Sequence, residues 1–236
     1  MEVYNQDLNQ PFSLENALTR QQEFITRVYS WMFAALVITG AIAYLTSTSA
    51  QIMSFVFETP YVFTGLLIGE VLLVIGLSAL INKVSSSVAI LLFIIYAAVN
   101  GLTMSVIFMV YTQSSIATTF FITAATFGAM SLYGYYTKKD LTSWGNLLFM
   151  ALIGLIIASV VNLFLKNEML YWIISYAGVL IFVGLTAYDT QKLKNLNMTN
   201  ADSETVQKTA IMGALTLYLD FINLFLYLLR LLGRRK

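Results

Sequence analysis

The chain contains no cysteine and no histidine, and only two prolines in 236 residues. Without cysteine there is no disulfide, thiolate metal site or thiol nucleophile. Without histidine, the side chain that most often titrates near neutrality and binds transition metals is missing. With so few prolines, long helices can run without proline breaks. Charge is scarce too. Only 11% of residues are Asp, Glu, Lys or Arg, against about a quarter in a soluble domain. The net charge of +1 gives no reason to expect a nucleic acid partner. There is no G-x-x-x-x-G-K-[ST] phosphate loop. Nor is there a matched pair of Gly/Pro-broken helices, which transporter sites often use. Neither an enzyme nor a coupled transporter is therefore expected.

What is present is oil. Hydrophobic residues make up 58% of the chain, the balance of an all-α polytopic membrane protein. A helix needs about 20 mostly apolar residues to cross the hydrocarbon. Six runs meet that: roughly 28–48, 61–81, 87–110, 115–136, 145–165 and 170–190. A seventh, roughly 210–232, is long enough but interrupted by Asp220 and Asn223. The expected organisation is a cytoplasmic segment 1–27, a seven-helix transmembrane domain 28–232 and a basic tail 233–236.

The first residues are acidic (Glu2, Asp7, Glu15) and no apolar run begins before about Val28, so no cleavable signal peptide is expected. Within 13–27, Leu14, Leu18 and Ile25 have helical spacing. That reads as a short amphipathic helix on the membrane surface, or else as a partner-binding helix. Lysine and arginine in loops resist translocation. With a cytoplasmic N-terminus, the inner segments carry Arg20, Arg27, Lys83, Lys138, Lys139, Lys192, Lys194 and Lys208, and the outer loops between helices carry Lys166. The tail, with Arg234, Arg235 and Lys236 after Arg230, breaks this pattern. A spanning seventh segment puts it outside, and a re-entrant one puts it inside.

Ionisable groups at mid-membrane cost roughly 2.5–3.5 kcal/mol on insertion scales, so each needs a reason. Glu70, Asp189 and Asp220 lie within apolar runs, and Arg230 lies toward the far end of the last one. An acidic interior suits cations and protons. Thr216, Asp220, Asn223, Tyr227 and Arg230 are spaced by four, three, four and three, which places them on one helical stripe. Ser175, Gly178, Thr186 and Asp189 share a face of the preceding run. Packing these faces together sets Asp189 beside Asp220.

Two carboxylates in contact away from water do not both ionise readily, and the pair shares a proton. On losing it, the pair repels itself and could bind a hard cation such as Ca²⁺ through its oxygens. The plainer readings remain open. Either Asp can be a protonated donor holding helices together. Glu70 can be a packing hydrogen bond or a lining group. Asn100 and Asn162 read as interhelical glue, and Arg230 as a side chain snorkelling to the headgroups. The aromatics, 14% of the chain, are expected in the core and the interfacial belts. An aspartyl protease also needs two acids, but "AYDTQ" and "YLDFI" lack the usual small-residue setting.

"GLTAYDTQKLK" (184–194) and "GALTLYLDFINLFLYLLRLLG" (213–233) resemble the most recognisable stretches of the transmembrane Bax inhibitor motif family, bacterial branch. "LLFIIYAAVNGLTMSVIF" (91–108) and "GYYTKKDLTSWG" (134–145) are also similar to its pattern, and the likeness runs from about residue 20 to 233. The resemblance implies a seven-helix bundle with the last helix spanning and surrounded by the other six. It implies a proton-sensitive calcium leak, gated by the aspartates that fall here on Asp189 and Asp220, with Glu70 matching a second-helix acid. Some members carry a latch arginine later in that helix. Here "GLSALINK" (76–83) has Leu80 and Ile81 in those places, with Lys83 further on as a substitute.

No resident cofactor is implied. The expected partners are membrane lipid, with Ca²⁺ and protons as the permeant or transiently bound ions. The expected state is a monomer in the bacterial cytoplasmic (inner) membrane, with the N-terminus cytoplasmic. Bacterial relatives include a modulator of a membrane-anchored ATP-dependent protease. In that alternative, residues 1–20 would be the working part and the buried acids structural.

Overall fold

A computed structural model describes residues 14–196, 198 and 201–236. Its helices are α1 (Leu14–Thr48), α2 (Ala50–Glu58), α3 (Val62–Leu80), α4 (Ser86–Met104), α5 (Ile107–Val110), α6 (Gln113–Tyr136), α7 (Thr142–Leu165), α8 (Glu168–Lys194) and α9 (Ser203–Leu232). Side-chain oxygens of Ser49, Ser85, Thr112, Asn167 and Asp202 accept from the first free backbone N–H groups of α2, α4, α6, α8 and α9. Each therefore starts a helix in the polar break where the sequence places it. Seven helical segments are long and apolar enough to cross a membrane. The protein is thus an all-α polytopic membrane protein.

Three local features differ from a plain reading of the apolar runs. First, α1 is continuous from Leu14, so the helical spacing before residue 28 runs straight into the first span. Phe24 and Val28, rather than Leu18, provide its buried contacts, and Leu18 is exposed. Second, a short helix, α2, fills the break after α1. Third, the run 87–110 is broken between α4 and α5. There the buried Ser105 donates its hydroxyl to Leu102 O at 2.6 Å, and the backbone bonds from Val106, Phe108 and Met109 tighten to the i−3 pattern. A serine competing for the helix carbonyls is a recognised cause of such a kink. Residues 1–13, which make up most of the segment 1–20 expected to meet a protease, lie outside the described residues.

The last helix is the most deeply buried span, and α3 and α7 are the most exposed. Helix α9 packs against α1, α4, α6 and α8, while α3 rests on α4 and α7 on α8. The inner ring is therefore four helices rather than six. The reason is chemical. Facing α7, the polar stripe of α9 borders a cavity rather than a packed seam. Toward α3, a polar network occupies the space. The outward faces carry large apolar side chains such as Phe33, Ile75, Phe164 and Leu180, as hydrocarbon solvent requires.

The two ends of the bundle are distinct. At one end Gln21 donates to Lys194 O, Gln191 to Lys139 O, and Lys194 Nζ to Tyr135 O. At the other, Thr112 N donates to Arg234 O at 3.0 Å and Lys236 N to Val110 O at 3.0 Å. Helix α9 thus crosses the whole bundle, and the basic tail lies at the end opposite Lys139 and Lys194.

Candidate functional site

Asp189, 9% exposed, and Asp220, 5% exposed, meet where α8 and α9 pack. Their carboxyl groups are close enough to act on each other electrostatically. An ionised carboxylate is acceptor-only, so the two can bond each other only when one of them carries a proton. Oδ2 of Asp220 is sealed from solvent with no hydrogen-bond partner. Both residues line a cavity of about 560 Å³ between α7, α8 and α9.

The stripe on α9 continues along this cavity, because Thr216, Asn223 and Tyr227 line it with Asp220. Thr216 and Asn223 each donate one turn back, to Met212 O at 3.1 Å and Leu219 O at 2.8 Å. Those bonds use the Thr216 hydroxyl proton and one of the two Asn223 amide N–H groups, and leave the Asn223 carbonyl oxygen as an acceptor lining the same cavity as the acids. Lys192 lines the same space and acts electrostatically on Asp189. The Tyr227 ring stacks on Phe182, with centroids 5.9 Å apart and planes 25° apart. On α8, Ser175 and Thr186 turn their hydroxyls to their own helix, at Tyr171 O and Phe182 O. Among the described residues there is no group of three or more acids, histidines or cysteines that could hold a metal.

Glu70 is elsewhere. Its carboxylate accepts from Thr103 Oγ1 at 2.6 Å and Asn100 Nδ2 at 3.1 Å. Asn100 Oδ1 accepts from the Tyr218 hydroxyl at 2.9 Å, and that hydroxyl is 2.7 Å from Thr39 Oγ1. The network ties α3, α4, α9 and α1 together. Tyr218 and Asp220 are two residues apart on α9, about 200° around the helix, so the two polar sites occupy opposite sides of it. Lys83 lies exposed in the turn after α3 and forms no ion pair with either aspartate. Asn162 accepts from Asn167 N at 3.0 Å and so closes the α7–α8 turn. Arg230 points past Tyr227 into a second cavity.

Residue-level reading of the sequence missed Tyr218, Thr39, Thr103, Lys192 and Phe182. Nothing sets Tyr218 apart from the other thirteen tyrosines in the sequence. Only its burial against Asn100 does so.

Outside the spans, Asp140 and Asp202 are held below the ordinary carboxylate range. Hydrogen bonds from the Thr142 hydroxyl and backbone do this for Asp140, and bonds from Thr205 do it first for Asp202.

Fold and site together define a polytopic helical membrane protein built around a central helix that carries a buried acid. The chain belongs to the Bax inhibitor-like family: residues 21–236 match the family described as "Inhibitor of apoptosis-promoting Bax1". It is 53% identical over 217 residues to the inner membrane protein YbhL of Escherichia coli strain K12, covering 91% of this chain and 93% of that protein. It is 46% identical over 217 residues to an uncharacterized protein of Borreliella burgdorferi, covering 92% and 94%. An uncharacterized membrane protein of Streptococcus pyogenes is 36% identical over 214 residues, covering 90% and 93%.

Proposed function

We propose that the protein is a proton-sensitive calcium leak of a bacterial inner membrane, gated by Asp189 and Asp220. The observation that carries this reading is the placing of the two buried aspartates together at the wall of one cavity inside the bundle. With one shared proton, the pair holds α8 and α9 together. With none, two like charges face each other in a low-dielectric setting, and the helices gain a reason to part. The same ionised oxygens, with the Asn223 carbonyl oxygen beside them, then suit Ca²⁺, which takes carboxylates and carbonyls in flexible geometry. Proton and cation compete for the same oxygens, so Ca²⁺ binding weakens as pH falls. Tyr227 and Phe182 form an aromatic wall of this cavity. The inner-membrane location is supported by the relative in Escherichia coli. The reading is non-catalytic: the two acids lie beside a lysine and an amide, in a family that indicates no reaction.

The test is Ca²⁺ flux down a gradient into proteoliposomes across a pH series. Wild type should respond steeply to pH, and Asp220→Asn should abolish or fix the response. An unchanged response in this variant removes the pair from the mechanism.

A further inference from the structure

The end of the bundle that holds the tail contains a larger cavity, about 760 Å³, between the end of α7, the start of α8 and the end of α9. Three cations line it, Lys166, Arg230 and Arg235, against one acid, Glu168. The Arg230 guanidinium is held between two rings, 5.1 Å from the centroid of Tyr171 and 5.1 Å from that of Tyr227. Such stacking fixes the plane of a guanidinium and leaves its N–H edge free to donate. Among the described residues that edge donates no hydrogen bond, and Arg230 forms no ion pair. A guanidinium at the end of a spanning helix, positioned by two aromatic rings and paired with no carboxylate among the described residues, is placed to take an anion.

We propose that this cavity binds the phosphate of an anionic phospholipid headgroup. Charge complementarity selects the phosphate, whose oxygens match a guanidinium fork. Arg235 stands at the polar side, its guanidinium bonded to the Tyr171 hydroxyl at 3.2 Å. Position selects the lipid over a soluble anion. The deeper wall is apolar, with Leu163 and Ile174, and Trp172 stands beside it. Tryptophan and tyrosine at this level mark the boundary between hydrocarbon and headgroups. A headgroup seated on the cations can leave its glycerol and chains against that wall and continue into the bilayer. The site is independent of the leak reading, and its test uses no flux.

Trp172 reports on the cavity. In a Trp31→Phe/Trp144→Phe background it is the sole tryptophan, since the chain has three. The protein is reconstituted in phosphatidylcholine vesicles containing a small, equal fraction of brominated phosphatidylglycerol or brominated phosphatidylcholine. Quenching should show roughly hundredfold preference for the anionic lipid, and the preference should fall about fivefold for each cation removed. Lys166→Gln and Arg235→Gln are exposed changes that should leave the fold intact, and Arg230→Gln tests the stacked cation. Equal quenching by both lipids overturns the proposal. So does a preference that survives Lys166→Gln/Arg235→Gln with Arg230→Gln. Loss of the preference on adding millimolar inorganic phosphate would assign the cavity to a soluble anion and also overturn it.

Discussion

Tyr227 of α9 packs its ring against α8 at Gly178, so closely that a Cβ on Gly178 would come within 2.7 Å of ring atoms. The same ring lines the aspartate cavity, and Arg230, one turn on, lines the basic one. Tyr227 therefore stands between two polar spaces on one side of the central helix.

Gly178→Ala should force that ring off its stack on Phe182. The expected cost is about 1–3 kcal/mol, the usual range for overpacking. Tyr227→Leu in the same chain should recover part of it. Reversible unfolding in mixed micelles measures all three variants. Strictly additive losses would mean that the two residues do not press on each other.

The second buried network makes a separate prediction. Tyr218→Phe removes the hydroxyl shared by Asn100 and Thr39. A loss of about 0.5–2 kcal/mol is expected, since bonds within membranes average toward the low end. Because Tyr218 faces away from Asp220, the pH response of Ca²⁺ flux should be kept. A lost pH response with normal stability would show that the two sites are coupled.

Binding of Ca²⁺ at the pair has its own sign. On the proposed reading, protons and Ca²⁺ compete for the carboxylate oxygens of Asp189 and Asp220, so ⁴⁵Ca²⁺ binding should rise with pH. Asp189→Asn should flatten that rise, and Asn223→Leu should weaken binding while keeping its pH dependence. Binding that is indifferent to Asp189→Asn would place the ion elsewhere.

Acid should loosen the start of α9. Asp202 caps it by accepting from Glu204 N and Thr205 N, each at 3.2 Å. Its folded value is depressed, so its stabilisation is present above the unfolded value and is lost as pH falls through the folded one. Hydrogen exchange at residues 204–206, corrected for intrinsic rates, should speed up in acid. Asp202→Asn keeps the cap and should remove that acid dependence.

The sequence by itself determined six spans, the length of the seventh apolar segment and the polar stripe. Hydrocarbon tolerates only helices of about 20 apolar residues, and a period of 3.6 then fixes which residues share a face. Thr216, Asp220, Asn223 and Tyr227 were legible on these grounds. Facing polar stripes already set Asp189 beside Asp220, but the tertiary structure alone decided the place of the third acid. Glu70 and Asp220 are equally conspicuous as acids in apolar runs, yet one bonds Asn100 and Thr103 while the other meets Asp189. It also decided that the basic tail lies beside the α5–α6 connection. Neighbour relations between helices depend on contacts far apart in the chain, such as Thr39 with Tyr218. Periodicity assigns a residue to a face of its helix but carries no information about which helix that face will meet.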